Sequence, residues 1–121
     1  MKLFVSYTTR DGYISHKRLR DVSRVLENHG RAFVDAIHND SADRQARVEQ
    51  EIVAADLVVF LETSGFSTST WVARERQLVE EHRKRSICVS IAQGEEWEGA
   101  LAAIERVVQG ETTASLRVKR N

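Results

Sequence analysis

The chain has 121 residues, 41% apolar and 30% charged, a composition that suits one globular domain with a core of its own. Its eighteen Lys and Arg cancel eighteen Asp and Glu, which leaves no net field to draw it to nucleic acid or to an anionic membrane. One cysteine excludes an internal disulfide, and no apolar run approaches the roughly twenty residues that cross a bilayer.

The opening "MKLFVSYTTRDG" holds only a short apolar run before polar residues begin, so it does not read as a signal peptide and a cytoplasmic location is expected. The run "LFVS" (3 to 6) is the first strand candidate. A helix from about Ser15 to Asn28 follows, with Leu19, Val22, Val25 and Leu26 on one face and Gly30 as its stop. The second strand is "AFVD" (32 to 35), with Phe33 in the core. The next helix, from about Ala42 to Ala55, buries Val48, Ile52 and Val53. A third strand, "LVVFL" (57 to 61), leads into a helix within "STSTWVARERQLVEEHRKR" (67 to 85). The fourth strand, "SICVSI" (86 to 91), is expected to bury Cys88. A last helix from about Glu96 to Val108 repeats Trp97, Leu101, Ile104 and Val108 at helical spacing. The tail "TASLRVKRN" either adds a weak fifth edge strand through Ser115 to Val118 or frays from about residue 110.

Near-continuous apolar strands alternating with helices require a sheet covered on both faces. The expected fold is therefore α/β, a flavodoxin-like three-layer sandwich with a central parallel sheet of four to five strands, in a single domain over residues 1–121. Ligands of such sheets bind at the carboxyl ends of the strands. Three loops meet there: "YTTRDGYI", "AIHNDSA" and "ETSGFSTST".

One residue breaks the pattern of its helix. At about 100° per residue, Trp71, Val72, Glu75, Leu78, Val79 and His82 share a face, which places the carboxylate of Glu75 on the apolar stripe. An inward carboxylate is costly unless it is paired or protonated. Two explanations stand at this point: a buried arginine such as Arg10 or Arg31 neutralises it, or it is a working group at the crevice. The first loop offers Thr8, Thr9, Arg10, Asp11 and Gly12, a composition suited to phosphate or ribose, although no GxGxxG or GxxxxGK[ST] is present. The third strand ends "FLETS", without the aspartate that a phosphoacceptor site needs. "SGFS" is not a GxSxG elbow, and the four histidines are scattered, so neither serine catalysis nor a metal site is expected.

Taken together, "LFVSYTTRDG", "RAFVDAIHND" and "LVVFLETSGFSTSTWVARE" resemble the Toll/interleukin-1 receptor (TIR) domain family. Phe4, Ser6, Tyr7 and Asp11 match its first motif. Asp35 matches the aspartate that opens its long BB loop, and Ser64, Phe66, Ser69, Trp71 and Glu75 match its third motif, which ends Trp-x-x-x-Glu. The resemblance covers residues 3 to about 91. It implies an enzyme that cleaves the nicotinamide–ribose bond of NAD, with Glu75 catalytic and NAD as substrate rather than cofactor. Thr8, Thr9, Arg10 and Asp11 would bind ribose and phosphates, Arg10 touching the pyrophosphate, while Tyr7, Phe66 and Trp71 are candidates to stack on nicotinamide. The product would be ADP-ribose or a cyclic isomer, serving as an immune, anti-phage signal to a separate effector, as in small stand-alone bacterial members. Self-association of TIR domains is a further implied partner relation. The loop "AIHNDSADRQ" departs from many members in lacking glycine or proline at its tip. Two rivals remain: a non-catalytic TIR interaction module, and an enzyme similar to nucleoside deoxyribosyltransferases that ignores NAD.

Overall fold

A computed structural model describes residues 1–120, with side chains described through residue 111. Four strands, β1 (Lys2–Ser6), β2 (Arg31–Val34), β3 (Leu57–Glu62) and β4 (Ser86–Ser90), form one sheet in the order β2-β1-β3-β4, and every pairing is parallel. Such pairings need crossovers, and these are α1 (His16–Leu26), α3 (Arg44–Ala54) and α4 (Thr70–Glu81). A four-residue helix, α2 (Asp35–His38), follows β2, and the long α5 (Trp97–Arg120) closes the chain. The expected three-layer α/β architecture is the observed one.

Alternation along the strands divides the core in two. Leu3, Val5, Val34, Leu57, Val59, Leu61 and Val89 point to one face, where Leu19, Val22 and Leu26 of α1 and Ala100, Ile104 and Val108 of α5 cover them. Phe4, Phe33, Val58 and Phe60 point to the other, beneath Val48 and Ile52 of α3 and Val72, Leu78 and Val79 of α4. Phe33 is in the core as expected, stacked on Phe4 at 5.7 Å between ring centroids.

Several expectations are corrected. The tail assigned to an edge strand or frayed end belongs to α5, so β4 is the edge of the described sheet. That position exposes Cys88: its side chain points to the α3/α4 face, beyond the reach of α4, while Val89 points to α5 and is buried. Burial of what surface it has left, aided by Glu62, still pushes the Cys88 thiol up. Val53 is 45% exposed because it turns off the stripe occupied by Val48 and Ile52. His82 lies just past the last turn of α4 and is exposed, 3.8 Å from Glu49. Asp35 opens α2 rather than closing β2.

Gly30 is where the second strand is launched. A Cβ there would lie 2.2 Å from the Met1 carbonyl oxygen, which accepts the Arg31 N–H at 2.9 Å and starts the β1–β2 ladder. Gly30→Ala is expected to push these strands apart and to cost about 1–3 kcal/mol, read as a lower urea midpoint at unchanged slope. An unchanged midpoint would show that the close approach relaxes freely.

Candidate active site around Glu75

Glu75 is 2% exposed and points from α4 towards the end of β1. Ser6 is the last residue of that strand and is fully buried. Two residues on from Phe4, it shares the α3/α4 face, and its hydroxyl donates to Glu75 Oε1 at 2.7 Å. Among the described residues no arginine is bonded to the carboxyl: Arg10 donates instead to the Thr68 carbonyl at 3.1 Å, and Arg31 is exposed at the far end of the sheet, at the start of β2. The neutralising-arginine explanation therefore fails. Burial pushes the Glu75 carboxyl up to about 8; the Ser6 hydroxyl opposes this, Asp35 adds to it, and the Trp71 side chain opposes it again as a hydrogen-bond donor. At neutral pH the group is largely a neutral acid held in reserve.

The start of α4 sets this geometry. Ser69 caps the helix, its hydroxyl accepting the Val72 N–H at 3.2 Å, and a single 3-10 turn (Phe66–Thr68) precedes it. The cap fixes the phase of the helix, so that Val72, Glu75, Leu78 and Val79 face inward.

Beside this point lies a crevice of about 930 Å³ at the carboxyl end of the sheet. Tyr7, Thr8, Thr9 and Arg10 line one wall, Asp35 and Arg44 another, and Ser69, Thr70 and Trp71 the α4 side. Glu75 itself borders a smaller cleft of about 230 Å³ between α3 and α4. Trp71, Asp43 and Gln45 border both spaces, so the indole stands between the larger crevice and the carboxyl. Tyr7 reaches across to the second strand's loop, its hydroxyl oxygen accepting the Ala36 N–H at 3.0 Å, and burial with nearby Asp35 pushes its pKa up to about 12. Asp35 is held by Arg44 at 2.8 Å and by the Asn39 amide at 2.6 Å.

Of the site residues expected from sequence, Tyr7, Thr8, Thr9, Arg10 and Trp71 thus meet in the crevice, and Glu75 sits one side chain away. Asp11 and Phe66 do not join them. Asp11 accepts the N–H groups of Tyr13 at 3.0 Å and Gly65 at 2.7 Å, so it ties the loop after β1 to the loop after β3. Burial pushes its carboxyl up, but the donors of the two loops outweigh that and hold it below the ordinary value. Phe66 is buried against Phe60, edge to face at 5.9 Å. Ser6 and Arg44 were missed as site residues. Ser6 had a signal, since it is in phase with Phe4; Arg44 had none, because it depends on where α3 begins. Among the described residues no group of three or more His, Cys, Asp or Glu is arranged to hold a metal ion. Nor, among the described residues, is any helix long and apolar enough to cross a membrane.

No protein-family model and no curated protein matches the chain.

The chemistry of Glu75 has a measurable consequence for stability. The unfolded chain titrates Glu75 near 4.5 and the folded one near 8, so between these values the native state binds the extra proton and loses stability as pH rises. Glu75→Gln keeps the shape and cannot ionise. It should melt close to wild type at about pH 5 and several degrees higher at about pH 8.5. A pH-independent difference between the two proteins would mean that Glu75 is not held protonated.

Proposed function

We propose that the protein cleaves the N-glycosidic bond of NAD between nicotinamide and ribose, releasing nicotinamide and either ADP-ribose or a cyclic isomer. The observation that carries this reading is Glu75: a carboxyl buried without a cationic partner among the described residues, held by the Ser6 hydroxyl at 2.7 Å, beside a crevice lined with hydroxyls, with Arg10 and Arg44, and with the carboxylates of Asp35 and Asp43. The resemblance of residues 3 to about 91 to TIR domains points the same way.

The reaction asks little of a general acid. When the C1′–N bond breaks, the pyridinium nitrogen keeps the bonding pair and nicotinamide leaves neutral. Positive charge is left on the ribose as an oxocarbenium ion. A carboxylate about one bond length beyond contact stabilises that cation electrostatically or traps it, and in a water-poor cleft the effect is large. The ionised form of Glu75 is therefore the active one, and the cationic nicotinamide ring of bound NAD favours it by bringing an opposite charge alongside. Water that attacks C1′ then delivers its proton to the carboxylate. Attack by a hydroxyl or adenine nitrogen of the same molecule gives the cyclic product.

The crevice divides the substrate in a way that matches its parts. The larger space, with Thr8, Thr9 and Arg10, suits the pyrophosphate and adenosine portion, as an arginine binds phosphate oxygens in fork geometry. The smaller cleft beside Glu75 has room for one heteroaromatic ring next to Trp71. Tyr7, at the mouth of β1, is placed to donate to a ribose hydroxyl. Asp11 is assigned to holding the loops rather than to the ribose.

The test is nicotinamide release from NAD, followed by chromatography. Release should depend on Glu75, falling about 100-fold or more in Glu75→Gln, and in wild type kcat/KM should rise with pH towards a midpoint near 8, the value of the Glu75 carboxyl in the free protein. Ser6→Ala removes a donor to the carboxylate and should move that midpoint upward. Equal rates in wild type and Glu75→Gln would sink the reading. So would an absence of release from folded protein across this pH range, which would favour a binding module.

A further inference from the structure

The two rims of the sheet are treated differently. In β2 the odd residues bond to β1, since the Arg31 N–H reaches the Met1 carbonyl at 2.9 Å; Ala32 and Val34 therefore point their N–H groups outward. Both are covered. Glu27 Oε1 accepts from Ala32 at 3.5 Å and His38 Nδ1 from Val34 at 2.9 Å, so this rim is closed to another strand. In β4 the Arg85 carbonyl accepts from Val58 at 2.9 Å and the Ile91 N–H reaches Glu62 at 2.9 Å, which turns the odd residues inward. Ser86, Cys88 and Ser90 then present N–H and C=O groups outward, and among the described residues nothing meets them.

Nothing in β4 blocks this rim. Its outward residues are small and exposed, and it carries no proline, lysine or inward charge of the kind that protects an edge. The strand is also close to a palindrome, Ser86-Ile87-Cys88-Val89-Ser90. A two-fold axis through Cys88 sets Ser86 opposite Ser90, Ile87 opposite Val89 and Cys88 opposite itself, and of the antiparallel registers it alone pairs all three outward residues. The flanks agree. Exposed Arg83 precedes the strand, and exposed Glu95 and Glu96 follow it, so an antiparallel arrangement brings basic entry to acidic exit, whereas a parallel one sets like beside like.

We propose that β4 is the interface of a homodimer in which two copies pair antiparallel about Cys88 into one continuous eight-stranded sheet. The three outward residues of each copy form about six new backbone hydrogen bonds. Both copies keep the same face up, so α5 of one runs beside α5 of the other.

Sedimentation of the full chain at rising concentration should show a shift to twice 13.8 kDa. A short bis-maleimide should link Cys88 to Cys88, each thiol adding across one ring double bond, because residues paired in this way have Cα atoms about 5.5 Å apart. Ser86→Lys with Ser90→Lys puts like charges opposite each other twice and should weaken the dimer about tenfold or more. Ser86→Lys with Ser90→Glu restores opposite charges at both pairs and should recover it. Both positions are exposed, and thermal melts confirm that each variant is folded. A wild type that stays monomeric, a dimer indifferent to the double lysine variant, or a dimer without the thiol adduct would overturn the proposal.

Discussion

A carboxyl group taken out of water must find a donor, and here the donor comes from the last residue of the strand at the centre of the fold. The Ser6 hydroxyl meets Glu75 at 2.7 Å only because β1 ends beneath the first turns of α4. That in turn depends on the β1–β3 register, which sets Ser6 beside Phe60, and on Ser69, which starts α4 at the phase that aims Glu75 inward. Move the helix by one residue and the carboxyl swings about 100° away from the strand. Much of the upper sheet can thus be read as the frame for a single short hydrogen bond.

The surroundings explain why the group is kept acidic in reserve rather than paired. Arg76 is the basic side chain next along α4, but it points outward, lies 5.2 Å over the ring of Phe60 and pairs with Glu62 at 3.0 Å. Arg44 is taken by Asp35. Arg10 is taken by the Thr68 carbonyl, and Arg74, which borders the same small cleft, is exposed and lies off the inward stripe of α4. Burial therefore outweighs the Ser6 hydroxyl and the Trp71 side chain, and the carboxyl is pushed up to about 8.

How far this was legible in the sequence depends on the range of the forces involved. Strand runs such as "LVVFL" and the stripe of α4 report local periodicity, so the alternation, the layers and the inward position of Glu75 could all be read directly. The crevice loops were legible because the topology sends them to one end. Where tertiary placement decides, the reading failed. Cys88 looks like core in "SICVSI", yet whether it is buried depends on a neighbouring strand and a covering helix, and neither is there. "TASLRVKRN" has alternation suited to a strand, but it continues a helix already under way at Trp97. Asp11 and Phe66 have the chemistry of ligand-binding residues and are drawn off by partners 54 residues away in one case and by an aromatic neighbour in the other. Ser6 shows the converse: a plain residue type made important by what lies above it.

The Asp11 clamp has a further effect on the walls of the crevice. By accepting N–H groups from both Tyr13 and Gly65, it welds the loops after β1 and β3 into one body, and any side chain on Gly65 would meet it at 3.1 Å. The opposite wall, from α2 to the start of α3, is braced within itself by Arg44 with Asp35 and reaches the first strand's loop through the Tyr7 hydroxyl, which accepts the Ala36 N–H. The crevice is thus a vice with one fixed jaw and one sprung jaw. A molecule entering the crevice would meet one wall already in register, and the loss of freedom on capture would fall chiefly on the α2–α3 side.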